Sequence, residues 1–304
     1  MSDEQTGRPK GQSLGDRVGT VTRRLKRDAR VQQLQAVLAG VEAAGGALLA
    51  AGLAFHALFA ILPALLFLTG IAGWLVSDPE RRAQLIRDLV DRVPPLSGPL
   101  SDALEQLAAG AGAFSLLGLL GLAWGASNFY GSLDEAMRRL FPGGSPRSLI
   151  EQRLRGLATV VGLILVVVAA VLLGGVWQIV EGIFAGVGDV AFWRLITPAL
   201  TFLLFIIAVL VTYLVVPTAP PGWRSALPAA AVAGAAIAVL TNIFTLIAPS
   251  LVGALRTFGV GVIGIALFGA LIWLNYAFTC LIFGAAWARV RRDQETLRRR
   301  SPTL

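Results

Sequence analysis

Hydrophobic positions along this chain fall into long, unbroken runs. The longest, Ala47 to Val76, reads ALLAAGLAFHALFAILPALLFLTGIAGWLV and holds no Asp, Glu, Lys or Arg. A bilayer core takes about twenty apolar residues as helix, so this run predicts a membrane span with some tilt or a bend. Pro63 supplies the bend, because inside a helix it lacks an N–H for the carbonyl of Phe59, four residues back, and clashes with it. In lipid that break persists only where neighbouring helices, side chains or water satisfy the freed group. Further apolar runs at 113–130, 157–177, 196–216, 226–247 and 260–287 bring the expected transmembrane helices to six. The expected fold is all-α and polytopic.

The intervening segments are patterned differently. Residues 1–13 are polar, with Gly and Pro, and read as a disordered cytoplasmic tail. In 14–45, Leu14, Val18, Val21, Leu25, Leu34, Leu38 and Val41 recur at helical spacing among Arg17, Arg23, Arg24, Lys26, Arg27 and Arg30. That is a basic amphipathic helix, expected to lie in the headgroup plane. The six-helix membrane domain then occupies 46–288, and 289–304 is a basic cytoplasmic tail. The connection 77–112 is too polar to cross. Its stripes Leu85, Ile86, Leu89, Val93 and Leu100, Ala103, Leu104, Leu107 predict two short interfacial helices, separated by Pro94-Pro95.

Composition agrees with this class. Apolar residues make up 56% and charged ones only 14% of the 304, against about 25% charged in soluble domains. Mean hydropathy is +0.72. The net charge of +8 would suit nucleic acid, but the basic residues flank the apolar runs, where anionic lipid headgroups attract them. With the N-terminal side taken as inside, 20 of the 26 Lys and Arg fall inside. This positive-inside bias places both termini in the cytoplasm and requires an even number of spans. The expected location is the plasma or inner membrane. No cleavable signal peptide is expected, since the first apolar run is too long for one.

Candidate chemistry is sparse. One cysteine, Cys280, and one histidine, His56, exclude an intrachain disulfide and leave no metal cluster or nucleophile–base pair to assemble. No nucleotide-binding glycine motif adjoins a strand. The chain is therefore expected to be no enzyme and to need no cofactor. Polar residues at membrane depth are His56, Ser115, Asn128, Asn242, Thr245, Asn275, Tyr276 and Thr279. Of these, His56, Asn128, Asn242, Asn275 and Tyr276 are the candidates to line a wet cavity. His56 has two readings: a contact to polar cargo, or a hydrogen bond to a neighbouring helix such as one bearing Asn128, Asn242 or Asn275. Asp134 with Arg138 and Glu135 with Arg139 have the i,i+4 order of a solvated helix face. Small residues at Gly121-x3-Gly125, Ala230-x3-Gly234-x3-Ala238 and Gly284-x3-Ala288 predict close helix approach.

Several segments together resemble the YihY/virulence factor BrkB family of bacterial inner-membrane proteins. They are Leu53-Ala54-Phe55-His56-Ala57-Leu58-Phe59-Ala60-Ile61-Leu62-Pro63, the stretch Trp124 to Leu140, Trp223-Arg224-Ser225-Ala226-Leu227-Pro228, and Phe258-Gly259 with Leu271-Ile272-Trp273-Leu274-Asn275-Tyr276 and Gly284-Ala285. The resemblance covers roughly residues 30–290 and implies a six-span inner-membrane protein of poorly defined activity. His56 stands where the family often has tyrosine, Ala60 where serine is common, Ala229 where glycine often follows the proline, and Ala286 in place of a frequent glutamate. The family's old ribonuclease label finds no support in the residues present.

The expected function is transport or flipping of an amphipathic or lipid-linked molecule, with a non-transporting envelope scaffold as the alternative. The expected partners are membrane lipids, not nucleic acid. Arg138, Arg139, Arg147, Arg153, Arg155 and Arg224 are the candidate contacts to anionic headgroups on the cytoplasmic face. Topology alone also accounts for those arginines.

Overall fold

A computed structural model describes residues 29–75, 111–144, 190–257 and 262–300, with 80, 84, 148, 150, 151 and 154 individually. Among the described residues the chain is helical, without strands. Its long elements are α1 (Ala29–Ala43), α2 (Gly46–Leu75), α3 (Ala111–Leu140), α4 (Val190–Val215), α5 (Trp223–Thr257) and α6 (Val262–Arg300). The expected span at 157–177, most of the interfacial segment 77–112 and the first half of the basic N-terminal helix lie outside the described residues.

Among the described residues, three helical stretches are long and apolar enough to cross a membrane: Gly46–Ala64, Trp223–Ala248 and Leu267–Arg298. Phe202–Val215 in α4 is a shorter apolar stretch. The second expected span falls in α3, whose described part is diluted by Ser127, Asn128, Ser132, Asp134 and Glu135. Large apolar side chains remain exposed along these helices, among them Phe55, Leu120, Leu203, Val232, Leu246 and Phe268. In water such a surface would aggregate; against lipid tails it costs nothing.

The first turn of the fold is set by glycine. Gly45 adopts φ +72°, a left-handed conformation that costs glycine little, and its N–H donates to the carbonyl of Glu42 at 2.9 Å. This ends α1 and lets α2 start at once. Within α1 the apolar stripe divides: Val37 and Val41 are buried, whereas Leu34 is 60% and Leu38 47% exposed. One face of α1 therefore packs on the bundle and the other points away from it. Gln33 Nε2 donates to Gln294 Oε1 at 2.7 Å, fixing α1 to the far end of α6.

The helix pairs meet where side chains are small. α2 and α3 form the most extensive contact, and Gly125 lies against the backbone of Phe59 and Ala60. Gly121 lies against Pro63, where a Cβ would come within 3.0 Å of the proline ring. Gly234 of α5 faces the backbone of Ile206 in α4, at 2.9 Å for an added Cβ. Gly284 of α6 faces Ala229 and Ala233 of α5. All three small-residue motifs thus lie at crossings within one chain.

α6 is the hub, touching α1, α2, α3 and α5. Its Ala270 and Leu274 pack on Ala54, Ala57 and Leu58 of α2, and Ile282, Ala285 and Ala288 enter the main core. Tyr213 of α4 is fully buried, and its hydroxyl donates to the carbonyl of Leu281 at 2.6 Å. That bond satisfies a phenol that would otherwise be stranded in an apolar core. Ala286, where the family often carries glutamate, is itself buried in this core.

Candidate functional site

The polar residues of α2 and α3 converge on a cleft of 660 Å³ between the two helices. This lies within the range of about 300–1,000 Å³ typical of small-molecule sites. Helical spacing explains the convergence. Leu48, Gly52 and His56 lie four apart on α2, and Trp124, Asn128, Gly131 and Glu135 recur at three- and four-residue steps on α3. Leu49, Leu53, Ser127 and Ser132 complete the lining. The crossing at Gly125 brings the two stripes together, so the same glycine contact that packs the helices also shapes the cleft.

His56 is anchored on one nitrogen. Its Nδ1 lies 2.8 Å from the carbonyl of Gly52 on its own helix and 2.9 Å from Ser132 Oγ on α3. Nδ1–H donating to Gly52 leaves Nε2 as an acceptor. If instead the Ser132 hydroxyl donates to Nδ1, then Nε2–H is a donor. In both states Nε2 has no hydrogen-bond partner among the described residues. Asn128 and Ser127 likewise make no side-chain hydrogen bond among them. The cleft therefore presents unused donors and acceptors beside apolar Leu48, Leu49, Leu53 and a Trp124 that is 63% exposed.

At the other end of the cleft stands Glu135. Arg139 donates to its Oε1 at 2.8 Å, and Arg138 donates to Oε2. The bond from Arg139 is the main cause holding the Glu135 carboxyl below the usual carboxylate range. Asp134 differs from its neighbour. It is only 2% exposed and pairs with Arg138 at 3.7 Å, so the i,i+4 pattern read as a solvated face holds for Arg139 but not for Asp134. A buried carboxylate needs its partner, and Arg138 provides a counter-charge.

The remaining sequence candidates lie elsewhere. Asn242 is exposed on α5 and donates to the carbonyl of Ala238 at 2.8 Å. Tyr276 is exposed on α6, and the carbonyl of Asn275 accepts the Thr279 hydroxyl at 2.7 Å. None of these three lines the cleft. Arg224 is exposed and stacks over Trp223, with 5.6 Å between guanidinium and ring. Arg147, Arg153 and Arg155 lie outside the described residues. Among the described residues no group of His, Cys, Asp and Glu is arranged to hold a metal.

Four members of the cleft escape a reading of polar residues at depth: Ser127, Ser132, Glu135 and Trp124. Their signal was spacing. Trp124, Asn128 and Glu135 share one face of α3, a face that continues unbroken past the end of the apolar run.

A helical chain with membrane-length apolar helices and this arrangement of motifs matches one family model, virulence factor BrkB, over residues 37–303. The chain belongs to the virulence factor BrkB family. As a member it is a membrane protein built from several apolar helices. No curated protein and no solved structure matches it. Both helices of the cleft, and both groups that anchor His56, lie within the matched region.

Proposed function

We propose that this BrkB-family protein moves an amphipathic or lipid-linked molecule between the leaflets of the bacterial inner membrane. The observation that carries this reading is the α2–α3 cleft, which offers apolar walls and unused polar groups in one groove between two membrane helices. An amphipath presents the same two chemistries, and such a groove shelters its headgroup while its tails stay in lipid. In this reading the chain has six spans and both termini in the cytoplasm, with the N-terminal basic helix at the headgroup plane. It acts as a carrier rather than an enzyme and uses no cofactor. Its partners are membrane lipids, and Arg138, Arg139, Arg147, Arg153, Arg155 and Arg224 meet the anionic surface of the inner leaflet.

The test is reconstitution into liposomes with labelled lipids, read as the rate of leaflet exchange. Exchange well above that of protein-free vesicles is expected, and Asn128→Leu should remove it while leaving the fold. Exchange no faster than in empty vesicles for every lipid tried would reject transport in favour of a scaffold.

A further inference from the structure

Accepting the cleft as the cargo site, its charge pattern narrows the headgroup it takes. Among the described residues that line it there is no Lys or Arg, and their one carboxylate, Glu135, is held by both Arg138 and Arg139. Asp134 is paired with Arg138 as well. Among the described residues, two negative and two positive charges at this end cancel, which gives the cleft little preference for either sign of headgroup. What it does offer is neutral hydrogen bonding of both senses. Asn128 supplies an amide with two donors and one acceptor carbonyl, Ser127 a hydroxyl, and His56 an Nε2 that donates or accepts according to its tautomer. Trp124 adds a broad apolar ring one helical turn before Asn128.

We infer that the cleft recognises an uncharged polyhydroxyl headgroup, a glycosyl unit carried on a lipid tail. Sugar hydroxyls both donate and accept, so they match Asn128, Ser127 and either tautomer of His56. A sugar ring also has an apolar C–H face that packs flat on an indole. Among the described lining residues a phosphate would find no unpaired cation, and an amine would find the carboxylate of Glu135 already taken. Leu48, Leu49 and Leu53 lie along the α2 wall where the first carbons of the tail would run.

The test uses the full chain in vesicles containing one of three photoactivatable probes with the same diazirine-labelled acyl chain: monoglucosyl diacylglycerol, phosphatidic acid or phosphatidylcholine. Cross-links are mapped by mass spectrometry, and leaflet exchange is followed in parallel. The glucosyl probe is expected to label the α2 wall of the cleft, residues 48–53, at least five-fold more than either phospholipid. Trp124→Ala and Asn128→Leu should each abolish that preference. Octyl glucoside should compete at lower concentration than methyl glucoside, since it has both parts of the ligand; equal competition would refute a lipid-borne ligand. Equal or stronger labelling by phosphatidic acid would overturn the headgroup assignment. Selective glucosyl labelling without exchange would support the assignment and reject transport, whereas exchange of all three lipids alike would keep transport and reject the assignment.

Discussion

The carbonyl oxygen of Phe59 lies 2.6 Å from where a Cβ on Gly125 would sit, so α3 crosses α2 at the carbonyl that Pro63 deprives of its amide. Only glycine leaves room for that approach, and the obstacle is backbone, which cannot swing aside. Gly125→Val should therefore cost about 1–3 kcal/mol, the usual scale of overpacking. Gly40→Ala in α1 is the control. It has nothing within 4 Å and should gain up to about 1 kcal/mol of helix propensity. Melting in detergent separates the two, and a Gly125→Val protein as stable as its parent would refute the close crossing.

Pro63 lies at the same crossing. Replacing it with alanine keeps the Cβ that meets Gly121 and restores an N–H for the Phe59 carbonyl. Pro63→Ala should melt no lower than the parent, recovering part of the roughly 3 kcal/mol an interior proline costs. It should also straighten α2, change the proteolytic pattern and slow leaflet exchange. Unchanged proteolysis together with unchanged exchange would show that the bend plays no part.

Class and packing were legible in the sequence because both follow from local pattern. Uncharged thirty-residue runs admit few environments other than lipid, and Gly121, Gly125, Gly234 and Gly284 each serve a crossing at the spacing that announces them. The site was only half legible. His56 and Asn128 could be picked out because polar groups are rare at depth, yet depth does not reveal which helices are neighbours. Asn242 and Tyr276 have the same sequence character and face away from the cleft. Asp134 shows the converse. Its i,i+4 arginine suggests a surface pair, and its burial follows from helices packing around it, which no local spacing encodes.

The ion pair of Glu135 predicts a dependence on pH. Its carboxyl titrates below the ordinary value in the folded chain, chiefly through the Arg139 bond. A depressed carboxylate stabilises the fold above its unfolded pKa, and that contribution fades as pH falls through the folded one. Glu135→Gln should then melt below the parent at pH 7, and the gap should close in the acid range below about pH 4. A gap that stays constant down to pH 3 would show that the pair contributes through packing alone.

Orientation follows from the distribution of basic residues and can be checked directly. Reporter fusions after Ser145 and at the C-terminus should read cytoplasmic, and one after Ser97 should read external. An external C-terminal fusion would mean an odd number of spans.

His56 decides between a packing role and a cargo role. Its Nδ1 holds Ser132 across the helix pair, and its Nε2 has no partner among the described residues. His56→Phe nearly keeps the volume but strands the Ser132 hydroxyl, and Ser132→Ala removes that hydroxyl as well. The two changes should be non-additive, with a coupling of about 0.6 and at most about 1.7 kcal/mol, the scale of such bonds between membrane helices. That coupling measures the structural half of the residue. The functional half appears when exchange is normalised to the folded fraction: Ser132→Ala should retain most of its exchange, because Nε2 survives, while His56→Phe should lose it. If His56→Phe exchanges lipid in proportion to the protein that remains folded, Nε2 contacts nothing that moves, and His56 serves only to join α2 to α3.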